Sequence, residues 1–197
     1  SLMDLNVSDY KIIIVDNCSM DNSYDTIKEN LNSLYIADKS IIEVKYEDRN
    51  KYKTLENDKI ILIQSPQNNG YASGNNIGIE FALNQENMKY VWVLNNDTEV
   101  DKEALTHLIS KCDSDKSIGI CGSRLVYFAD REMQQGLGGV HNKWLCTTKN
   151  YEMGRLVSKK YDDEVISNDI DYIIGASMFF SRECLETVGL MNEEYFL

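Results

Sequence analysis

Residues 90–100 read YVWVLNNDTEV, and the reading of this stretch decides the fold. Val91, Trp92, Val93 and Leu94 form an apolar run rich in β-branched and aromatic side chains, which describes a strand buried on both faces, as in a parallel sheet. Asn95, Asn96 and Asp97 then read as the turn at its carboxyl end. In open α/β sheets ligands bind beyond that end of the strands, so Asp97 is the first candidate for chemistry. A plain strand-to-helix turn uses the same residue types, because short amides and carboxylates hydrogen-bond nearby backbone, and this stretch alone leaves both readings standing.

The pattern of strand followed by acid occurs earlier as well. Lys11 to Val15, KIIIV, runs into Asp16, Asn17, Cys18 and Ser19. Asp21, Asn22 and Ser23 then offer N-caps, and Tyr24, Ile27, Leu31 and Leu34 recur at three and four, which predicts an amphipathic helix and completes a β-loop-α unit. From 37 to 58 the charge density rises and the pattern is lost, apart from a short strand predicted at Ile41 to Tyr46, so this reads as a surface excursion. Lys59 to Gln64, KIILIQ, is the third strand, closed by Ser65 and by Pro66, the single proline of the chain.

Gln67 to Ile79, QNNGYASGNNIGI, carries glycines at 70, 74 and 78. Spacing of four places them near one face of a helix predicted from about Ser73 to Asn84, where backbone can approach a sheet or a ligand closely. The stretch is neither G-x-G-x-x-G nor a phosphate-binding loop ending in Gly-Lys-Ser/Thr, so dinucleotide and nucleoside-triphosphatase readings lack support.

Beyond the opening strand, Asp101 begins a helix with Ala104, Leu105, Leu108 and Ile109 on one side; its His107 reads as a surface or packing residue. Ile118 to Cys121, Ser123 to Phe128 and Trp144 to Thr148 are predicted strands, residues 129–139 a polar loop, and 149–169 a mobile surface segment. Asp171 to Phe180, DYIIGASMFF, returns to core composition, with Gly175 and Ala176 leaving room for backbone or substrate. A final helix starts at Ser181 and ends at Gly189.

At 197 residues, 43% of them hydrophobic, the chain suits one large domain with a real core. Its formal charge of −12 argues against a nucleic acid as partner and against simple electrostatic docking of the whole protein on anionic lipid. No apolar run approaches the roughly 20 residues that span a bilayer. The five cysteines are odd in number, widely spaced and free of Cys-x-x-Cys pairs, which suggests neither a disulfide framework nor a zinc site and fits a reduced, cytoplasmic protein.

With these segments in order, the chain resembles the family 2 glycosyltransferases, and among them the rhamnosyltransferase-like branch. The residues that carry the likeness are IIIVDNCSMDNS at 12–23, NNGYASGNNIGI at 68–79, VWVLNNDTEVD at 91–101 and IIGASMFFSRECLETVGLMNEEYFL at 173–197. The resemblance implies an α/β domain of the GT-A nucleotide-diphospho-sugar transferase type: a mostly parallel central sheet flanked by helices, with a small mixed sheet near the C-terminus. It implies a single domain over 3–197, with a nucleotide-binding half at about 10–111 and an acceptor-side half at about 118–197. The implied activity is inverting transfer of a sugar from a UDP- or dTDP-linked donor to a hydroxyl of a carbohydrate or lipid-linked acceptor, in cell-surface polysaccharide synthesis, in the cytoplasm or peripherally at the inner face of the membrane.

The likeness also implies roles. Asp16 and Asn17 match positions that meet the pyrimidine base, and Asn69, Gly70 and Asn75 fall in the glycine-rich motif on the nucleotide side. Many relatives have two aspartates where this chain has Asp16 and Asn17; the amide still has both a donor and an acceptor for a uracil or thymine edge. Asn95, Asn96 and Asp97 match the Asp-x-Asp motif, the first positions serving the nucleotide and Asp97 a divalent metal, Mg²⁺ or Mn²⁺. One carboxylate, diphosphate oxygens and waters are a reasonable shell for such an ion, which would neutralise the diphosphate. Gly175 and Ala176 fall on the acceptor side. Relatives carry a strand and a helix ahead of the strand matched at 11–15, and their general base follows the segment matched at 193–197. The expectation is therefore a chain that lacks both, in which Glu193 and Glu194 stand one motif too early to be that base, and whose open strand edges at 11–15 or 91–94 pair with a second copy or a rearranged segment.

Two other readings are weighed against this one. A binding-only module would keep the nucleotide-sugar pocket without turnover. A haloacid-dehalogenase-like phosphatase would use Asp97 as nucleophile and Glu99 as general acid, but the lysine and acidic pair it needs downstream are not evident.

Overall fold

The computed structural model describes residues 1–34, 41–53, 55 and 60–195, and the chain divides into two compact units. One unit comprises Ser8–Val91 and Leu185–Leu197, the other Ser1–Val7 and Trp92–Cys184.

The unit containing Ser8–Val91 is built on a three-stranded parallel sheet. In chain order its elements are β1 (Ile12–Asp16), α1 (Ser23–Leu34), β2 (Ile41–Lys45), β3 (Ile60–Gln64) and α2 (Tyr71–Leu83), and the sheet order is β1-β3-β2. Ile12 pairs with Ile60 and Asp16 with Gln64 on one side of β3; Ile41 pairs with Ile60 and Lys45 with Gln64 on the other. The central position of β3 explains its unbroken apolar run, since Ile60, Ile61, Leu62 and Ile63 are at most 2% exposed. β1 forms an edge, and its equally apolar Ile12 to Val15 are only half-buried.

Helix α2 begins at Tyr71, two residues before the predicted start. Gly70 precedes it at φ 90°, ψ −175°, a conformation open essentially to glycine alone, which turns the chain into the helix. A Cβ at position 78 would lie 3.3 Å from Val15 Cγ2, so the small residue lets α2 approach β1 closely. Ile77 and Phe81 join Val44, Ile61 and Ile63 in the core, with Tyr52 and Leu55 against it. Part of the predicted excursion is thus structural: Tyr46–Lys51 form a 3₁₀ turn whose Arg49 lies 4.1 Å over the Tyr46 ring and bonds Glu80 of α2 at 3.0 Å. Residues 37–40, 54 and 56–58 of that excursion lie outside the described residues.

The other unit begins with Asn6 bonded through its amide nitrogen to Lys102 O at 3.0 Å. Its elements are β4 (Tyr90–Leu94, shared with the boundary), α3 (Ala104–Ser114), β5 (Ile120–Gly122), β6 (Leu125–Val126), β7 (Gln134–Gly136), β8 (Gly139–Asn142), β9 (Thr147–Asn150), α4 (Asp163–Asp169), β10 (Ser177–Ser181) and α5 (Arg182–Val188), the last continuing past Cys184. A three-stranded sheet runs β4-β10-β5, with β10 antiparallel to β5, and two further antiparallel ladders join β6 to β7 and β8 to β9. Trp92 packs edge-on to Phe179 at 6.4 Å between centroids and donates its indole N–H to Ser177 Oγ at 2.9 Å. This satisfies the polar end of a half-buried indole.

The expected α/β architecture is present, with a parallel three-stranded sheet and smaller sheets that contain antiparallel pairs. β4 sits at an edge of its sheet, paired with β10. The predicted strand at 123–128 shrinks to two residues, because Asp130 accepts the Glu132 and Met133 amides through its side chain and carbonyl and reverses the chain. The predicted loop at 129–139 contains β7, and the predicted strand at 144–148 is displaced to β9, with residues 143–146 forming a hairpin turn. The segment expected to be mobile carries α4, capped by the Asp162 carboxylate on the Glu164 amide, and a knot of polar bonds in which Glu152 accepts from Lys159 at 2.6 Å and from the Tyr161 hydroxyl at 3.0 Å. Polar contacts of this kind leave no apolar periodicity for a sequence reading to find.

Candidate functional site

Asp16 ends β1 and is buried, in register with Gln64 at the end of β3. Its Oδ2 accepts from Gln64 Nε2 at 3.0 Å, its carboxylate faces the Ser19 amide at 3.3–3.4 Å, and its carbonyl accepts from Ser65 N at 2.8 Å. The parallel register creates this arrangement, since it brings two strand ends level and lets one side chain bridge them.

Asn17 is tied to the glycine-rich motif. Its Nδ2 donates to Asn68 Oδ1 at 3.1 Å and to Gly70 O at 3.0 Å, while its buried Oδ1 has no partner. Asn68 Oδ1 also accepts from Gly70 N at 3.0 Å, an Asx turn that sets up the special backbone of Gly70. A Cβ at position 74 would sit 3.1 Å from Asn17 Cγ and Nδ2, so glycine there leaves the space that Asn17 fills. The donor half of the Asn17 amide is therefore consumed within the protein and only the acceptor is left over, where the sequence suggested that both were available to a base.

Asn69 is exposed and makes no side-chain hydrogen bond among the described residues. Asn75 turns back onto its own helix, donating to Tyr71 O at 2.9 Å. Burial pushes the neighbouring Tyr71 hydroxyl above its usual pKa range, keeping it protonated. Gln64 and Asn68, which organise Asp16 and Asn17, went unread in the sequence; Asn-x-Gly before a helix was the available signal for Asn68, and nothing local marked Gln64.

At the end of β4, Asn95 N donates to Ala176 O at 3.1 Å, joining a residue expected on the nucleotide side to one expected on the acceptor side. Thr98 closes the turn, its amide and hydroxyl both bonding Asn95 O, at 3.2 and 2.7 Å. Gly175 and Ala176 form the turn into β10, with Ser177 N on Ile174 O at 3.2 Å. Asn96 and Asp97 are exposed at the tip, and the Asp97 carboxylate has no protein partner among the described residues. Glu99, two residues on, is neutralised by Arg131 at 2.6 Å. No group of three or more His, Cys, Asp or Glu that could hold a metal occurs among the described residues.

The parallel three-stranded sheet, the small antiparallel ladders and the flanking helices make this a mixed α/β protein, which fits the GT-A kind of fold. Residues 1–189 match glycosyl transferase family 2, and the chain belongs to that family. It is 26% identical over 174 residues to the low-salt glycan biosynthesis hexosyltransferase Agl10 of Haloferax volcanii, a match that covers 86% of this chain and 54% of the relative. The chain thus spans about half the length of that protein. Family membership leaves the phosphatase reading of Asp97 without support.

Proposed function

We propose that the chain is a glycosyltransferase domain of glycan biosynthesis, which passes a sugar with inversion from a UDP- or dTDP-linked donor to a hydroxyl of a carbohydrate or lipid-linked acceptor in cell-surface polysaccharide assembly. The family supports a nucleotide-sugar donor, and the relative named for hexosyl transfer in glycan biosynthesis supports the acceptor class. Within the family, the motifs favour the rhamnosyltransferase-like branch.

The observation that carries the reading is Asp97, an exposed carboxylate without a protein partner among the described residues, at the carboxyl end of an apolar strand. Carboxylates kept for structure are paired or capped, as Asp16 and Asp162 are; one left free at a strand end suits an external cation. Asp97 would hold Mg²⁺ or Mn²⁺, which would supply positive charge for a diphosphate leaving group. Asp16 and Asn17 are assigned to the base, with Asn69, Gly70, Asn75, Asn95 and Asn96 on the nucleotide side. Gly175 and Ala176 are assigned to the acceptor side. The protein works in the cytoplasm or at the inner membrane face, and the edge of β1 offers a route to self-association.

The test is a thermal-shift panel of UDP, dTDP and GDP, each with and without Mn²⁺, on the wild type and on Asp97→Ala, alongside a mass-spectrometric assay of sugar transfer. Stabilisation grows with the ratio of ligand to dissociation constant, so millimolar nucleotide registers even weak binding. Manganese-dependent stabilisation by UDP or dTDP that Asp97→Ala abolishes is the expected result. Equal shifts in both proteins would sink the assignment of Asp97, and binding without transfer would favour the binding-only module.

A further inference from the structure

The hairpin of β8 and β9 carries at its tip two large apolar side chains that are mostly exposed: Trp144 at 96% and Leu145 at 71%. The tip is a built turn. Asn142 Oδ1 accepts the amides of both Trp144 and Leu145 at 3.0 Å, and Cys146 turns through φ 50° to re-enter the ladder. The root is equally fixed: Gly139 N donates to Tyr172 O at 2.9 Å, His141 N to Asp171 Oδ2 at 2.7 Å, and a Cβ at Gly139 would run into the Tyr172 ring at 2.0 Å. A firmly rooted hairpin therefore holds two adjacent hydrophobes out in water, where burial against a partner would be favourable.

Charge points to that partner. In a chain with 32 acids in 197 residues, Met133 to Tyr151 contain no Asp or Glu, while Lys143 and Lys149 lie beside and below the tip. The nearest acids lie at the root and away from the tip: Glu132 and Glu152 flank the stretch, Asp169 accepts from the Tyr151 hydroxyl and Asp171 from the His141 amide. A basic, acid-free projection on a protein of charge −12 complements an anionic surface. Size narrows the choice further. An exposed Trp and Leu offer roughly 300–400 Å², against about 800 Å² per partner in a stable protein interface. A convex tip is also the wrong shape for a small-molecule pocket. Lipid suits it, because a tryptophan ring settles at the headgroup boundary and a neighbouring lysine keeps its ammonium among the phosphates.

We propose that the Asn142–Cys146 hairpin tip inserts Trp144 and Leu145 into the interface of an anionic lipid bilayer and docks the protein there. The proposal stands apart from the assignment of sugar transfer, and its readout is binding to lipid alone.

The experiment is co-sedimentation with vesicles of phosphatidylcholine, with and without phosphatidylglycerol, together with tryptophan emission. Of the two tryptophans, Trp92 is hydrogen-bonded to Ser177 and supplies a constant background. Vesicles containing phosphatidylglycerol should pull the wild type down and shift its emission to the blue. W144S/L145S should weaken partitioning by roughly tenfold or more at an unchanged melting temperature, and K143E/K149E should remove the preference for phosphatidylglycerol. Wild type that stays in the supernatant, or that sediments no better than W144S/L145S, overturns the proposal. So does a dimer in lipid-free solution that W144S/L145S dissolves, since the tip would then belong to a second copy.

Discussion

Asn76 of α2 grips both backbone groups of Met191: its Nδ2 donates to the Met191 carbonyl at 2.9 Å, and its Oδ1 accepts from the Met191 amide at 3.0 Å. The same Nδ2 reaches Glu193 Oε1 at 2.7 Å. Asn76 is only 3% exposed, so a buried amide with both its donor and its acceptor sides engaged ties the stretch after α5 to the glycine-rich helix.

Asn76→Asp should release this stretch. The change removes both donors and sets a second carboxylate against Glu193, costing about 1–3 kcal/mol at neutral pH. The penalty grows as pH rises through the carboxylate range, because the folded state then holds two adjacent negative charges. Adding Glu193→Gln should recover most of the loss by restoring a donor. Thermal melts at pH 4 and pH 8 check this, and a double variant no better than the single one would show that the Glu193 contact carries no weight.

Gly74→Ala separates stability from ligand binding. A Cβ there meets the Asn17 side chain at 3.1 Å. Crowding of this kind costs about 1–3 kcal/mol, and replacing a helical glycine by alanine returns about 1 kcal/mol. The melting temperature should therefore fall only slightly, while displacement of Asn17 weakens nucleotide binding on the order of tenfold. Titration calorimetry with UDP or dTDP measures it.

Asp97→Ala should leave stability within about 0.5 kcal/mol of the wild type, as for other exposed groups without partners. Its effect should fall on metal-dependent nucleotide binding alone. A large loss of stability would mean that Asp97 has a structural role instead.

Cys112 should resist thiol reagents that modify the exposed Cys146 quickly. Burial, reinforced by its bond to Cys121 Sγ at 3.6 Å, pushes the Cys112 thiol up to about 12, so the reactive thiolate is scarce at neutral pH. Because the folded pKa lies above the unfolded one, this thiol's contribution to stability is complete below the unfolded thiol range, near pH 8.5. It is lost as pH rises toward about 12. Iodoacetamide labelling read by mass spectrometry, compared with labelling in urea, checks the first claim. Alkaline melts of the wild type and Cys112→Ala check the second.

The apolar runs KIIIV, KIILIQ and VWVL and the helices of period 3.6 were legible because burial in this architecture imposes its period directly on the residues. All three strands, α1, α2 and α3 lie close to where the patterns place them. The candidate residues Asp16, Asn17, Asn95 and Asp97 were legible for a related reason: strand ends are where a parallel sheet exposes its ligand-binding side. By itself, then, the sequence determined the class of fold, where the apolar strands end and which acids stand there.

Only the tertiary structure decided what those residues have left to offer. Gln64 reaches Asp16 across a register that no local pattern encodes, and Asn68 with Gly70 takes up the Asn17 donors, while Asp97 is left without a partner among the described residues. It also decided that 143–146 is a turn holding Trp144 in water, where the sequence suggested a strand. The physical reason is common to these cases. Apolar burial writes its period along the chain, whereas a hydrogen bond between residues some fifty positions apart, such as that from Gln64 to Asp16 with a separation of 48, depends on how the strands are brought together in space.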